Sequence, residues 1–243
     1  MVQPDCVIDI MRVEELKDIH QENGHITIGA LATHSQICME AQMPGWAPVL
    51  ATACREIGSR QIRNRASIGG NLANASPAGD SIPALYVLDA EVRLQSVRSD
   101  RWAPVTEFFS GPGDTIRQPD ELLTAVRFAP FVDGEKGFFS KIGQRRAMTI
   151  SKVSAAGALL CEGHTVQRCR LALGAVAPTV IRLTTVEEFL VGKALSPDVI
   201  AEAASLAGEV CSPIDDIRST VAYRCHTSGV LVKRGLMTIM EEV

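Results

Sequence analysis

The stretch "NRASIGGNLANASPAGD", residues 64–80, sets two adjacent glycines among asparagine, serine and aspartate side chains, between two apolar segments. Gly69 and Gly70 have no β-carbon, so the main chain can approach a ligand closely and can take positive φ angles. Successive backbone N–H groups in such a turn can converge on a pyrophosphate. A glycine pair more often forms a tight turn, however, and this spacing matches neither GxGxxG nor the Walker loop.

Polar side chains around the glycine pair favour a ligand over a simple turn. They supply hydrogen-bond donors and acceptors of the kind that suit a polyhydroxylated chain such as ribityl. These side chains are Ser67, Asn71, Asn74, Ser76 and Asp80. Three arginines just upstream, Arg60, Arg63 and Arg65, can either neutralise phosphate charge or form a solvated basic loop or a subunit contact.

Hydrophobic periodicity predicts strands and helices on both sides of this stretch. Strands are expected at residues 6–10, 25–31, 91–97, 122–128 and 166–176. Helices are expected after Thr33, over 46–59, over 81–89, over 186–195, from a Ser196 N-cap followed by Pro197, and through the tail from about 219. Residues 129–137 gather proline, glycine and charge, which is typical of a domain boundary. The sequence therefore predicts an α+β protein with domains at 1–135 and 136–243.

Composition excludes several classes of function. The net charge of −4 and an aromatic content of 5% argue against a nucleic-acid-binding surface. No apolar run approaches the ~20 residues that span a bilayer, and the first residues do not form a signal peptide, so we expect a cytoplasmic protein without a membrane partner. Seven cysteines are scattered singly, which predicts reduced thiols and neither a metal site nor an iron–sulfur cluster in this chain.

Several long motifs resemble one family in the correct order. Residues 62–94, "IRNRASIGGNLANASPAGDSIPALYVLDAEVRL", closely resemble the FAD-binding segment of the flavoprotein (medium) subunit of molybdenum hydroxylases, the xanthine dehydrogenase and carbon monoxide dehydrogenase family. The likeness continues through 119–128, 138–159, 171–182 and 213–234. It implies a PCMH-type FAD-binding domain, followed by a domain like the C-terminal domain of CO dehydrogenase flavoproteins, with an antiparallel sheet and helices.

The resemblance also implies which residues contact FAD. The "SIGGN" segment would wrap the pyrophosphate and ribityl region, Asn74 and Asp80 would make further contacts, and Leu123 would touch the isoalloxazine. A lysine near the ring corresponds to Lys141, where a cation would stabilise negative charge on reduction. The implied FAD-binding residues are Ser67, Ile68, Gly69, Gly70, Asn71, Asn74, Asp80, Leu123 and Lys141. The resemblance implies no protein side chain acting as a catalytic nucleophile.

The motif "PIDDIRSTVAYR", residues 213–224, allows two interpretations. Asp215 and Asp216 could act as paired carboxylates in acid–base catalysis. The interpretation we favour is that this motif caps the last helix and forms ion pairs that fix it against its domain. Its form looks most like the xanthine dehydrogenase branch of the family, although a likeness at the level of fold does not establish a substrate.

The resemblance implies a complex. A large partner subunit would hold molybdopterin and a small one two [2Fe-2S] clusters, in a dimer of heterotrimers. Electrons would pass from the clusters through FAD to NAD+ or another acceptor. Family members carry an earlier glycine loop, usually resembling "AGGT", with no counterpart before Gly69, so the FAD domain is expected to be short at its N-terminus. Two alternatives stay open: a flavin-free structural subunit of the same complex, and an unrelated nucleotide-binding enzyme acting alone.

Overall fold

A computed structural model describes residues 5–145 and 147–243, and all statements below refer to them. Within them, the helices are a 3-10 helix at Glu14–Leu16, α1 (His34–Met39), α2 (Met43–Trp46), α3 (Pro48–Glu56), α4 (Arg60–Arg63), α5 (Ile68–Ala73), α6 (Ser81–Val87), α7 (Val105–Phe108), α8 (Thr184–Leu190), α9 (Pro197–Glu209) and α10 (Val221–Glu242). The strands are β1 (Ile19–Glu22), β2 (His25–Gly29), β3 (Glu91–Gln95), β4 (Asp100–Pro104), β5 (Phe109–Gly111), β6 (Asp114–Thr115), β7 (Leu122–Phe128), β8 (Glu135–Ile142), β9 (Val153–Glu162), β10 (Thr165–Gly174) and β11 (Ile181–Arg182). The predicted α+β class is confirmed.

The strands form two main antiparallel sheets. The first has the order β1-β2-β7-β3-β4 and the second β11-β10-β9-β8, with a small ribbon of β5 and β6 beside them. In β3 buried side chains alternate with half-buried ones, as the sequence predicts for residues 91–97. The first sheet therefore needs a cover on one face only, and α3 and α6 contribute to the core there.

The second sheet is covered on both faces. Phe139 and Ala156 pack into the same core as α3 and α6, whereas Leu159 and Leu171 pack into a second core with α8, α9 and α10. Because both faces are buried, β9 is a nearly continuous run of small apolar residues rather than an alternating strand. The helices α3 and α6 of the first predicted domain thus pack directly on the second sheet, which places residues of both predicted domains side by side. The boundary at residue 135 itself stays a prediction.

The first predicted strand is wrong. Residues 6–10 pair with no strand in the described part of the chain, and Val7 and Ile8 are 82% and 80% exposed. A β-strand is stabilised by a hydrogen-bonded neighbour, and an apolar alternation without one does not hold a strand. The second prediction in this region, 25–31, is confirmed by β2.

Local capping signals are confirmed at two helices. The Thr33 side chain accepts a hydrogen bond from Gln36 N, and the Gln36 side chain reaches back to Thr33 N, which forms a capping box for α1. The Ser196 side chain accepts from Val199 N, with Pro197 in the first turn of α9. None of the described helices is both long and apolar enough to cross a membrane.

Replacing Ser196 with alanine tests the cap of α9. The substitution removes the acceptor of Val199 N, so the free energy of unfolding should fall by about 1 kcal/mol and the melting temperature by roughly 2–4 °C. Thermal unfolding followed by circular dichroism measures the change. Ser205→Ala on the exposed middle of the same helix is the control and should change the melting temperature little. Equal losses in both variants would contradict the capping role.

Candidate functional site

The "SIGGN" segment forms the start of helix α5 rather than a loop. Ser67 is its N-cap, and the Ser67 hydroxyl oxygen accepts a hydrogen bond from Gly70 N at 3.1 Å. Neither Gly69 nor Gly70 has a positive φ, so the left-handed turn that a glycine pair permits is not formed here. The physical reason is that glycine permits positive φ without requiring it, and a capped helix start stabilises the helical alternative.

The predicted convergence of N–H groups on a ligand is also wrong in this structure. The amides of Ile68 and Gly69 donate to the carbonyl oxygens of Ala32 and Ala30, at 3.0 and 2.8 Å, and Asn71 N donates to Ser67 O at 3.0 Å. Together with Gly70 N, the first amides of the helix are bonded within the protein. Any phosphate contact must therefore come from side chains or from a rearranged α5 N-terminus.

Gly69 has a structural reason to be glycine. A β-carbon there would lie 2.6 Å from Ala30 Cβ and 2.7 Å from Ala30 O, too close for any real contact. Ala30 is tied in turn to β7, since Ala30 N donates to Thr124 O at 2.9 Å. The segment after β2 thus connects α5 to the first sheet at a distance that only glycine allows.

Gly70 lies on the other side of α5, where the helix surface is open. It is exposed, and a β-carbon on it would meet only Ser67 Oγ, at 3.1 Å. Asn74 follows one turn later on the same side of the helix and is also exposed. Asn71 lies between them, and its Oδ1 accepts from Ser81 Oγ at 2.7 Å. This arrangement leaves the Asn71 amide nitrogen for a ligand.

A cavity of about 460 Å³ opens beside this surface. It is bounded by α5, by the turn leading to α6 and by the loop between β8 and β9. Its polar lining comes from Asn71, Asn74, Ser76, Asp80, Arg145, Thr149 and Arg218. Its apolar lining comes from Ile57, Ile62, Ala78, Met148 and Ile150. We call this cavity the cleft. Hydroxyl, amide, carboxylate and guanidinium groups opposite aliphatic side chains suit a ligand with sugar or phosphate groups and a flat apolar ring.

Asp80 is the most constrained side chain of the cleft. It is 7% exposed, and its Oδ2 accepts from Lys141 Nζ while its Oδ1 accepts from Ser151 Oγ, at 2.6 and 2.5 Å. Burial raises the pKa of Asp80 above its usual value, and the Lys141 ammonium and the Ser151 hydroxyl oppose that shift. We call these three side chains the Asp80 clamp. It joins residues of the two predicted domains.

Lys141 lies behind Asp80 and its ammonium group is fully engaged. Besides Asp80, Nζ donates to Glu56 O at 2.6 Å and to Thr149 O at 3.4 Å, and the side chain is only 6% exposed. Lys141 is therefore not an exposed surface lysine. The ammonium has three hydrogens and three acceptors, so in this arrangement it acts on the cleft through Asp80 rather than as a free cation.

Leu123 belongs to the core of the first sheet. It is 8% exposed on β7, opposite Leu94 of β3, and it does not line the cleft as described. Its neighbour Thr124 makes the hydrogen bond to Ala30. The roles of Leu123, Lys141 and the residues of α5 in binding FAD stay predictions.

Of the three arginines upstream of the glycine pair, Arg63 has partners within the protein. Arg63 Nη1 donates to the carbonyl oxygens of Ile57 and Gly58, at 2.9 and 3.4 Å, so it stabilises the turn before α4. Arg60 and Arg65 are exposed.

In the acidic motif, Asp215 Oδ1 accepts from Val221 N, and Arg224 Nη2 donates to Asp216. Arg224 Nη1 also bonds the carbonyl oxygens of Lys152 and Ala175. The capping and ion-pair interpretation is confirmed.

Sequence reasoning missed the loop between β8 and β9 as a wall of the cleft. Arg145 Nη2 donates to Met148 O at 2.6 Å, and Gln144 N donates to Thr149 Oγ1 at 3.0 Å. Lys152 N closes the base of the loop on Ile142 O at 2.7 Å. These residues follow Lys141 directly within a motif that the resemblance already marks, so proximity to Lys141 is the signal that could have identified them.

Two family models match successive parts of the chain. The FAD-binding domain of molybdopterin dehydrogenases matches residues 1–130, and the CO dehydrogenase flavoprotein C-terminal domain matches residues 138–239. The chain therefore belongs to the family of FAD-binding medium subunits of molybdenum hydroxylases.

Comparisons with individual proteins support the same family membership. The chain is 32% identical over 235 residues to the carbon monoxide dehydrogenase medium chain of Hydrogenophaga pseudoflava, covering 96% of this chain and 81% of the relative. It is 29% identical to the xanthine dehydrogenase FAD-binding subunit of Escherichia coli O157:H7, covering 94% and 79%. A solved carbon monoxide dehydrogenase from H. pseudoflava, lacking the Mo-pyranopterin moiety of its cofactor, superposes with a TM-score of 0.95 at 30% identity, covering 99% of this chain and 83% of that one.

Proposed function

We propose that the cleft binds FAD and that the chain carries this FAD within a molybdenum hydroxylase complex. The observation that supports the proposal is the cleft itself. It combines a buried carboxylate, amide and hydroxyl side chains and an aliphatic wall, in a chain whose residues 1–130 match an FAD-binding domain. The donor set fits the cofactor, because ribityl hydroxyls, phosphates and an apolar ring each find a matching group.

Each side of the cleft has its own role in this proposal. The amides of Asn71 and Asn74 bind hydroxyl or phosphate oxygens, and Arg145 and Arg218 offset phosphate charge. Asp80 accepts hydrogen bonds from ligand hydroxyls. Ser67, Ile68 and Gly69 shape α5, Gly70 keeps its surface open, and Lys141 supports the site from behind through Asp80. When bound, FAD supplies the redox chemistry, since it exchanges two electrons with a hydride acceptor or single electrons with metal clusters.

The place of the chain in the complex follows from its family. We propose a large molybdopterin-binding partner, a small partner with [2Fe-2S] clusters, and electron transfer from those clusters through FAD to NAD+ or another acceptor, in a dimer of heterotrimers. Xanthine dehydrogenase-like activity is one form of this proposal. Identity to the CO dehydrogenase chain is 32% and to the xanthine dehydrogenase subunit 29%, so similarity favours neither substrate.

Purification of the assembled complex tests the proposal. We expect a yellow protein with about one FAD for each copy of this chain, released by denaturation and measured by its absorbance. An intact but colourless complex would support the alternative of a flavin-free structural subunit. Activity of this chain without molybdenum and iron–sulfur partners would support an enzyme acting alone. Reduction by candidate substrates and reoxidation by NAD+ then identify donor and acceptor.

Replacing Gly70 with valine tests the open surface of α5. Gly70 is exposed, and a β-carbon added there meets only Ser67 Oγ, at 3.1 Å, so the fold should survive the branched side chain. It should exclude FAD, and the flavin content should fall below about a tenth of wild type because the ligand cannot approach the helix. The flavin-to-protein ratio and the melting temperature are the two measurements.

The matched control for that variant is Gly45→Val. Gly45 also lies in an exposed helical turn, with nothing within 4 Å of an added β-carbon, but this turn is α2, none of whose residues lines the cleft, whereas Gly70 is next to Asn71, which does. Flavin content should stay at the wild-type level in this control. Full flavin occupancy in the folded Gly70→Val protein would refute the role given to Gly70.

A further inference from the structure

Ser151 is a fully buried serine whose hydroxyl has one defined acceptor. It lies at the end of the loop between β8 and β9, with 0% exposure, and donates to Asp80 Oδ1 across 71 residues of sequence. Lys141 occupies the other oxygen, Oδ2. Each carboxylate oxygen therefore has its own protein donor, and the plane of the carboxylate is defined by two bonds rather than one.

Asp80 receives no such restraint from its own helix. It occupies the N-cap position of α6, but its side chain makes no capping hydrogen bond there. Its orientation is thus determined by Ser151 and Lys141, which hold the carboxylate from behind and do not themselves line the cleft. A carboxylate has about four acceptor positions, so two remain for a ligand after the clamp has formed. Since Asp80 lines the cleft, those positions are within reach of a ligand hydroxyl.

The hydrogen bond from Ser151 to Asp80 also anchors the loop between β8 and β9, which forms one wall of the cleft. Thr149, two residues earlier, lines the cleft and its carbonyl oxygen accepts from Lys141 Nζ. One residue later, Lys152 N closes the base of the loop. Loss of the Ser151 hydroxyl would therefore release both the carboxylate and one anchor of the loop.

We propose that Ser151 is a positioning residue of the cofactor site, which orients the Asp80 carboxylate toward a hydroxyl of the FAD ribityl or ribose. This inference rests on the proposed function of the cleft. Ser151 itself does not contact the cofactor. It acts through Asp80, so its contribution must disappear when residue 80 has no side-chain oxygen to accept the bond.

The test is a double-mutant cycle on FAD affinity, measured by titrating FAD into the deflavinated complex. Ser151→Ala should raise the Kd for FAD about tenfold, the size expected for losing a hydrogen bond to a charged group. On an Asp80→Ala background, which has no side-chain acceptor, the same substitution should change the Kd less than about twofold. Ser151→Thr keeps the hydroxyl and should restore most of the affinity.

Ser154→Ala is the matched control. Ser154 is equally buried, three residues further on in β9, but its hydroxyl has no hydrogen-bond partner among the described residues. The Kd of the Ser154→Ala variant for FAD should equal that of wild type. A wild-type Kd in Ser151→Ala, with only a lower melting temperature, would show a merely structural role and overturn the inference. So would a tenfold loss that persists on the Asp80→Ala background. A wild-type complex that binds no FAD would instead overturn the proposed function and this inference with it.

Discussion

Replacing Gly69 with alanine is expected to lower the free energy of unfolding by about 2–4 kcal/mol, although the change adds a single methyl group. The added β-carbon would lie 2.6 Å from Ala30 Cβ and 2.7 Å from Ala30 O, and both atoms belong to a segment hydrogen-bonded to α5 and to β7. Backbone cannot move aside as a flexible side chain can. The melting temperature should fall by roughly 5–15 °C in a chain of this size.

The neighbouring glycine provides the control for this expectation. Gly70→Ala adds the same methyl group one residue later, with only Ser67 Oγ nearby, and helical alanine is more stable than helical glycine by roughly 0.5–1 kcal/mol. Its melting temperature should therefore change by no more than about 2 °C. Denaturant unfolding of both variants measures the difference. Similar stabilities for the two would show that Gly69 does not approach Ala30 this closely.

This pair of residues also shows what the sequence could predict. Periodicity and caps predict β7 and α9 well, because both signals are local and act within a few residues. The conformation of the glycine pair cannot be predicted in this way, because glycine permits positive φ angles without requiring them. The positive φ angles near the cleft are found instead at Ala75 and Met148, at 46° and 53°, where residue type predicts none.

The Asp80 clamp was predictable only in part. The resemblance identified Asp80 and Lys141 separately, but 61 residues separate them and no local pattern encodes their ion pair. Ser151 carried no signal of its own, since a buried serine in an apolar strand region is common. Contacts of this kind depend on how α6 packs against the second sheet, and only the folded arrangement determines that packing.

Replacing Lys141 with methionine should be the most destabilising change in the site. Lys141 and Asp80 have side chains only 6% and 8% exposed, so removing the ammonium leaves a carboxylate buried without its counter-ion. Breaking a buried pair in this way costs about 3–5 kcal/mol. Replacing both partners, in Asp80→Asn with Lys141→Met, should recover much of that loss because no buried charge remains.

The stability lost in Lys141→Met should depend on pH in a defined direction. Burial already raises the pKa of Asp80, and without Lys141 the main opposing effect is gone, so the pKa in the folded variant rises further. A carboxyl group with a higher pKa in the folded than in the unfolded state binds its proton more tightly when folded. Its contribution to stability therefore falls as pH rises above the usual value of 3.8 and through the folded pKa.

Denaturant unfolding from about pH 5 to about pH 8 measures this dependence. The difference between wild type and Lys141→Met should be smallest at the acidic end, where Asp80 can stay protonated, and largest at the alkaline end. Lys136→Met is the matched control, because Lys136 lies on the same strand with its side chain 40% exposed. The free energy of unfolding of this control should fall by no more than about 0.5 kcal/mol. Parallel curves for Lys141→Met and wild type would mean that Asp80 is not ionised beside Lys141. The Asp80 clamp would then bind the cofactor as a neutral hydrogen-bonding group, and Asp80→Asn would leave FAD affinity nearly unchanged.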